Sequence, residues 1–173
     1  MTIAGNYRLA MARAPSSRTI DAWIAAGVTL FTLSGAAILG AANDEPDLAL
    51  LPALVLLGQT VPLVWRRRAP VTVWAAASVA AGIYGLGDWP DALLPLGPIV
   101  ALATVVECRP RRVAAAAWLA SAVAAALGLV LSGDSDAVDV WIAIVSLIAA
   151  PLIGDWQRAR AAHLEQLRLA AAR

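Results

Sequence analysis

"VPLVWRRRAPVTVWAAA", residues 61–77, sets Arg66, Arg67 and Arg68 between two strongly apolar runs. Three unpaired guanidiniums do not fit a soluble core. A soluble surface does not need such long apolar flanks. Composition resolves the conflict. Of 173 residues, 61% are hydrophobic and only 14% charged, and the mean hydropathy is +0.74. Soluble domains run about half apolar and about a quarter charged. The apolar residues also come in blocks, and about 20 of them cross a hydrocarbon core of roughly 30 Å. An integral membrane protein is therefore expected, with the triple arginine in a turn between two spans.

The same pattern gives six apolar spans, over 20–42, 48–65, 71–87, 91–106, 113–131 and 138–155. They are joined by NDEPD (43–47), RRRAP (66–70), GDWP (87–90), CRPRR (108–112) and SGDSDA (132–137). A polar arm, 1–19, precedes them and a polar stretch, 156–173, follows. The expected fold is an all-α, six-span membrane bundle. The fourth span is short, which an upright helix or a locally thinned bilayer accommodates. The fifth is rich in alanine and weakly hydrophobic, and is expected inside the bundle. The first block is too long for a signal-peptide core, so no cleaved leader is expected.

Charge orients the bundle. All thirteen basic residues are arginine, and they fall in the arm, RRRAP, CRPRR and the tail. With six spans these four segments share one face. NDEPD, GDWP and SGDSDA share the other with Asp91 and Asp139, and carry acids but no base. Arginine near span ends is retained in the cytoplasm, so both termini are expected there. Arg66, Arg67, Arg68, Arg109, Arg111 and Arg112 are read as topology determinants in basic turns that also face anionic lipid headgroups. Asp21, Glu107 and Asp155 stand at the same span ends, where arginines can pair with them.

Offset by 43 or 44 residues, Pro52 matches Pro95, Arg67 and Arg68 match Arg111 and Arg112, and Trp74 matches Trp118. Spans 2–3 and 4–5 thus read as two hairpins of the same orientation. Ala77/Ala81 and Ser78/Gly82 have the four-residue spacing that lets membrane helices approach closely. Trp65, Trp74, Trp89, Trp141 and Trp156 lie near span ends, as belt residues do.

Most chemistry is excluded. The acidic loops, with Asp44, Glu45, Asp47, Asp134, Asp136 and Asp139, read as a solvated face that reinforces topology. DSDAVD (134–139) lacks the turn glycine and closing glutamate of a calcium loop. No metal site or cofactor is expected, and nothing points to nucleic acid. Cys108, the single cysteine, excludes an internal disulfide and reads as an incidental loop thiol. The single histidine, His163, has no serine or cysteine partner in the sequence, and "GLG" at 85–87 is a span end, not a phosphate loop. No Asp, Glu or Arg lies in the middle of a span. The central polar residues include Ser34, Gln59, Tyr84, Ser121 and Ser146, of which Gln59 and Tyr84 are the candidates for intramembrane sensing or packing. Pro52 and Pro62 in span 2, and Pro95 and Pro98 in span 4, are expected to break those helices. Paired breaks can mark a transporter site, but without a buried charge transport is the lesser reading.

From Trp156 to Arg173 the chain has no Gly or Pro and many helix formers. Span 6 is therefore expected to continue as one helix through Asp155, Trp156, Arg158 and Arg160. Leu164, Leu167 and Ala171 fall at i, i+3 and i+7, the start of a heptad seam. The segments "PLVWRRRAPVTVWA" (62–75), "VALATVVECRPRRVAAAA" (100–117) and "APLIGDWQRARAAHLEQLRLAAAR" (150–173) together resemble the membrane-embedded N-terminal module of actinobacterial two-component sensor histidine kinases. The resemblance covers nearly the whole chain. It implies a bacterial cytoplasmic-membrane location, a homodimer, and a downstream kinase core or partner kinase. One departure is plain. His163 is followed by Leu164 and Glu165, not by the Asp that follows the family's phosphoacceptor, so it is read as a helix-surface histidine. The 173 residues contain no ATP-binding domain, and no catalytic activity is expected of them. The expected function is a sensory and anchoring module, with membrane lipids as partners, that relays an intramembrane or envelope signal through span 6. The alternative is a stand-alone small membrane protein, either a truncated kinase relic or a partner subunit.

Overall fold

The computed structural model describes residues 17–42, 49–87, 89, 94–131 and 137–171, and these contain helices and turns but no strand. Helix α1 is Ser17–Ala42 and α2 is Leu50–Thr60, which runs directly into a 3-10 segment, Val61–Trp65. Then follow α3 (Pro70–Gly85), α4 (Leu96–Cys108), α5 (Arg111–Leu131) and α6 (Ala137–Ala171). Among the described residues, three stretches are long and apolar enough to cross a membrane: Thr19–Ala42, Arg111–Leu131 and Val140–Ala171. Leu50–Trp65, Pro70–Gly85 and Leu96–Cys108 are shorter apolar helices. At 1.5 Å per residue, α4 is only about 20 Å long and α6 about 52 Å.

Prolines mostly begin these helices and do not break them. Pro52 and Pro98 lie in the first turns of α2 and α4, Pro70 opens α3, and Pro95 stands just before α4. Those positions need no intrahelical N–H. Only Pro62 changes the geometry, where α2 tightens into the 3-10 segment. The expectation that Pro52, Pro95 and Pro98 interrupt their spans is thus corrected.

The bundle is built around α4, which meets every other helix. Gly97, Ala101, Leu102, Ala103, Thr104, Val105 and Val106 are all buried. Two core clusters share it. Ala101 packs with Ala25, Leu63, Val73 and Ala77, while Leu102 and Val105 pack with Ala117 and Ala150. A third cluster of Ala36, Leu56 and Tyr84 lies away from it. The alanine-rich α5, expected inside, is instead peripheral. Only Ala114 and Ala117 are buried on it, and Leu119, Val123, Leu127 and Val130 are exposed. Membrane helices associate through van der Waals packing, and a run of alanines offers little volume to pack. The Leu and Val side chains of α4 fill the centre, and its small residues admit neighbours closely.

Two glycines make that close approach possible. A Cβ on Gly97 would lie 2.4 Å from the Gln59 carbonyl oxygen, and one on Gly154 would lie 2.6 Å from the Ala103 carbonyl oxygen. These are the α2–α4 and α4–α6 contacts. Gly128, on α5, has open space around it. Gly154→Ala should therefore destabilise the bundle by about 1–3 kcal/mol through overpacking. Gly128→Ala should be neutral, or stabilising by up to about 1 kcal/mol through helix propensity. Thermal unfolding of the two variants in detergent checks this, and equal midpoints would contradict the α4–α6 contact.

Candidate functional site

The N-terminal part of α1, the 3-10 segment, the C-terminus of α4 and the middle of α6 converge at one end of the bundle. Asp21, one turn into α1, is almost fully buried. Its Oδ1 accepts from Arg66 Nε at 2.9 Å and from Arg67 Nε at 3.2 Å. Arg66 Nη2 lies 2.8 Å from the same oxygen. Arg67 Nη1 reaches Glu107 at 3.7 Å. Burial alone would lower the Arg67 pKa, but its hydrogen bond to Asp21 and the charge of Glu107 prevail and raise it. Asp21, Arg66, Arg67 and Glu107 thus tie α1, the basic turn and α4 together. Both Asp21 and Glu107 pair with arginine, as their positions at span ends predict.

Arg158 closes the same end from α6. Its Nη2 donates to the Val106 carbonyl and, at 2.9 Å, to the Arg109 carbonyl. These acceptors are at the C-terminus of α4, where helical carbonyls lack partners and a cation is favoured. One side chain therefore caps α4 and fixes α6 against it. Cys108 is exposed in the adjoining turn. Burial of its thiol, with the charge of Glu107, pushes its pKa up despite the nearby arginines.

Farther along, α6 contains Pro151 in its interior. Proline has no N–H, so the carbonyl four residues earlier, that of Leu147, loses its helical donor. Trp118 Nε1 on α5 donates to that oxygen at 2.8 Å. Its repeat partner, Trp74, donates from α3 to Ser121 Oγ on α5 at 3.0 Å. The matched tryptophans of the repeat thus play matched parts, each bonding across to a later helix. Neither role was legible in the sequence, although an interior proline in a span is a signal to look for a foreign donor.

The predicted residues separate clearly. Arg66 is buried and turned inward, which corrects its reading as a headgroup contact. Arg67 bridges, and Arg68, Arg109, Arg111 and Arg112 are exposed. Gln59 and Tyr84 are both buried. Gln59 lies against Gly97, and Tyr84 packs on Trp89 with ring centroids 5.4 Å apart. Of the belt residues, Trp65, Trp141 and Trp156 are exposed, whereas Trp74 is an internal bonding residue. Asp155 is exposed, Arg160 stands 5.4 Å over the Trp156 ring, and Leu164 and Leu167 are exposed on the tail of α6. The loops bearing Asp44, Glu45, Asp47, Asp134 and Asp136 lie outside the described residues, as does the side chain of Asp139.

Comparison of the chain with family models, curated proteins and solved structures found no match.

Two substitutions probe the geometry. Asp21→Asn should destabilise by about 3–5 kcal/mol, because it leaves the buried Arg66 charge uncompensated. The double variant Asp21→Leu/Arg66→Met should recover most of that loss, since an apolar pair replaces a buried ionic one at little net change. Trp118→Phe should cost about 1–3 kcal/mol by orphaning the Leu147 carbonyl. It should cost clearly less in a Pro151→Ala background, where α6 supplies its own donor. Denaturation of the wild type, Asp21→Leu, Arg66→Met and their double variant, and of the wild type, Trp118→Phe, Pro151→Ala and theirs, measures each coupling, and strict additivity would refute the pairing.

Proposed function

We propose that the chain is the membrane-embedded input module of a two-component sensor kinase, with six spans, both termini in the cytoplasm and α6 as its output. The observation that carries the reading is α6 itself, a continuous helix of 35 residues. It is held in the bundle by Gly154 and Arg158, then runs on for about 20 Å past Arg158 to Ala171. Leu164 and Leu167, three residues apart on one exposed face, give the second copy or the kinase core an apolar seam to engage. The order of the three sequence motifs supports the kinase assignment. The convergence of Asp21, Arg66, Glu107, Arg109 and Arg158 at one end supports the shared cytoplasmic face of the basic turns.

The mechanism follows from what holds α6. A stimulus that changes the packing of α4 moves the carbonyls that Arg158 grips. A stimulus acting on α5 moves the Trp118 bond at the proline. Either displaces a stiff helix whose far end lies outside the bundle. A ligand achieves this only by binding the two packings with different affinity.

Cys108 tests the orientation. A membrane-impermeant maleimide should label it in inverted vesicles and leave it unlabelled in intact cells, and the reverse pattern would overturn the topology. The relay is tested by joining the tail to an intact kinase core. Arg158→Ala should shift autophosphorylation of that chimera by about fivefold or more, the usual range of a coupling energy. Output indifferent to Arg158→Ala and Trp118→Phe alike would end the proposal.

A further inference from the structure

Beside the Arg158 clasp, α4, α5 and α6 enclose an open groove of about 290 Å³. Arg111 and Arg158 stand in it, Asp155 faces it, and Ala115, Trp118 and Pro151 form apolar wall. We infer that this groove binds the headgroup of a glycerophospholipid of net charge −1 whose headgroup carries hydroxyl donors. The inference rests on the membrane reading above, with the arginine end at a leaflet surface.

The chemistry of the wall selects the ligand. Two arginines line this one groove, and guanidinium N–H groups are the donors a phosphodiester accepts from. Only Nη2 of Arg158 is engaged with the α4 carbonyls, and a guanidinium carries five donors. Asp155 is the single acid in the groove. Beside a phosphate its carboxylate is tolerated if the headgroup donates to it, which a glycerol hydroxyl does. Two arginines and one aspartate leave a charge of +1, which complements a monoanionic lipid and not a zwitterionic one. The volume admits a headgroup but not two acyl chains. Past the groove, α5 and α6 present exposed apolar side chains, among them Leu119, Ile148 and Leu152, along which chains can lie. A free phosphate ion would leave the apolar wall unused.

The site also lies where binding would matter. Trp118, which donates to the Leu147 carbonyl, and Pro151, which leaves that carbonyl without a helical donor, form part of its wall, and Arg158, which caps α4, lines it too. Occupancy would therefore favour the packing in which α4, α5 and α6 stay joined.

The test uses the full chain purified in detergent, with phosphatidylglycerol retained after detergent exchange counted by native mass spectrometry. Arg111→Gln should lower retention roughly fivefold, the effect of one basic residue at a membrane surface. Ala115→Trp should abolish retention by filling the groove. Arg68→Gln, which removes an exposed arginine outside it, should lower retention clearly less than Arg111→Gln does. If Arg68→Gln lowers retention as much as Arg111→Gln, the lipid is held by diffuse charge and the site is overturned. Retention of phosphatidylethanolamine equal to that of phosphatidylglycerol would overturn the charge assignment. Displacement of the lipid by equimolar inorganic phosphate would make this a phosphate site and overturn the lipid one. Helical content by circular dichroism is compared first, and if Ala115→Trp loses it, the Arg111 and Arg68 pair decides. Labelling of Cys108 from the outer side would refute the orientation without touching this result, because retention is read in detergent.

Discussion

The bond from Arg158 to the last carbonyls of α4 is the interaction on which the arrangement depends. A helix end leaves its last carbonyl groups without intrahelical donors. In α4 that end is exposed at Cys108 and Arg109, and a cation is favoured there. Helix α6 supplies one through a charge-assisted bond. The same constraint recurs at Leu147, where Pro151 removes a donor and Trp118 restores one. It recurs between α1 and α2, where the Thr29 and Thr60 hydroxyls lie 2.8 Å apart and Thr60 donates to the Leu56 carbonyl. Each of these groups has recruited a neighbour, whereas the buried Ser78 and Ser146 hydroxyls have no hydrogen-bond partner.

The placement of the bonds that are made gives the bundle a mechanical character. The bonds to α6 at Leu147 and Arg158, with the Gly154 contact between them, all fall within about three helical turns. The tail beyond Arg160 is exposed along its described side chains. In the proposed relay, a helix held over this length and exposed beyond it would turn a small tilt into a larger displacement. The close contact at Gly154 keeps that length from slipping gradually, because packed interfaces move between discrete arrangements.

Much of this was legible in the sequence. The apolar blocks located every helix among the described residues, and the absence of Gly and Pro after Trp156 foretold the unbroken α6. The repeat offset paired Trp74 with Trp118 before either had a partner. The centre of the bundle was misplaced for a physical reason. Alanine richness and weak hydrophobicity point to the interior, and small buried residues do sit there in α4, at Ala101 and Ala103. In α5, long exposed side chains such as Leu127 and Val130 alternate with the alanines and turn outward. Hydropathy does not register such a face, because lipid and protein interior are equally apolar. The bond from Arg158 was hidden likewise, since a backbone carbonyl leaves no trace in residue identity.

The arginine triplet at 66–68 is explained by its local geometry. It follows a 3-10 segment, and Arg66 and Arg68 donate their backbone N–H groups to the Leu63 and Trp65 carbonyls, three residues back. At three residues per turn, successive side chains project about 120° apart. No more than one of the three can enter the core. Arg66 does so, and Asp21 neutralises it there. Arg67, at the edge, is shared between Asp21 and Glu107. Arg68 is left facing outward. The charge that a leaflet would meet at this turn is therefore carried by Arg68, while Arg66 serves to anchor α1. A positive-inside rule that counts arginines treats the three alike, but the turn divides them into an anchor, a bridge and a surface charge. That division explains why a chain so apolar can hold three guanidiniums in a row.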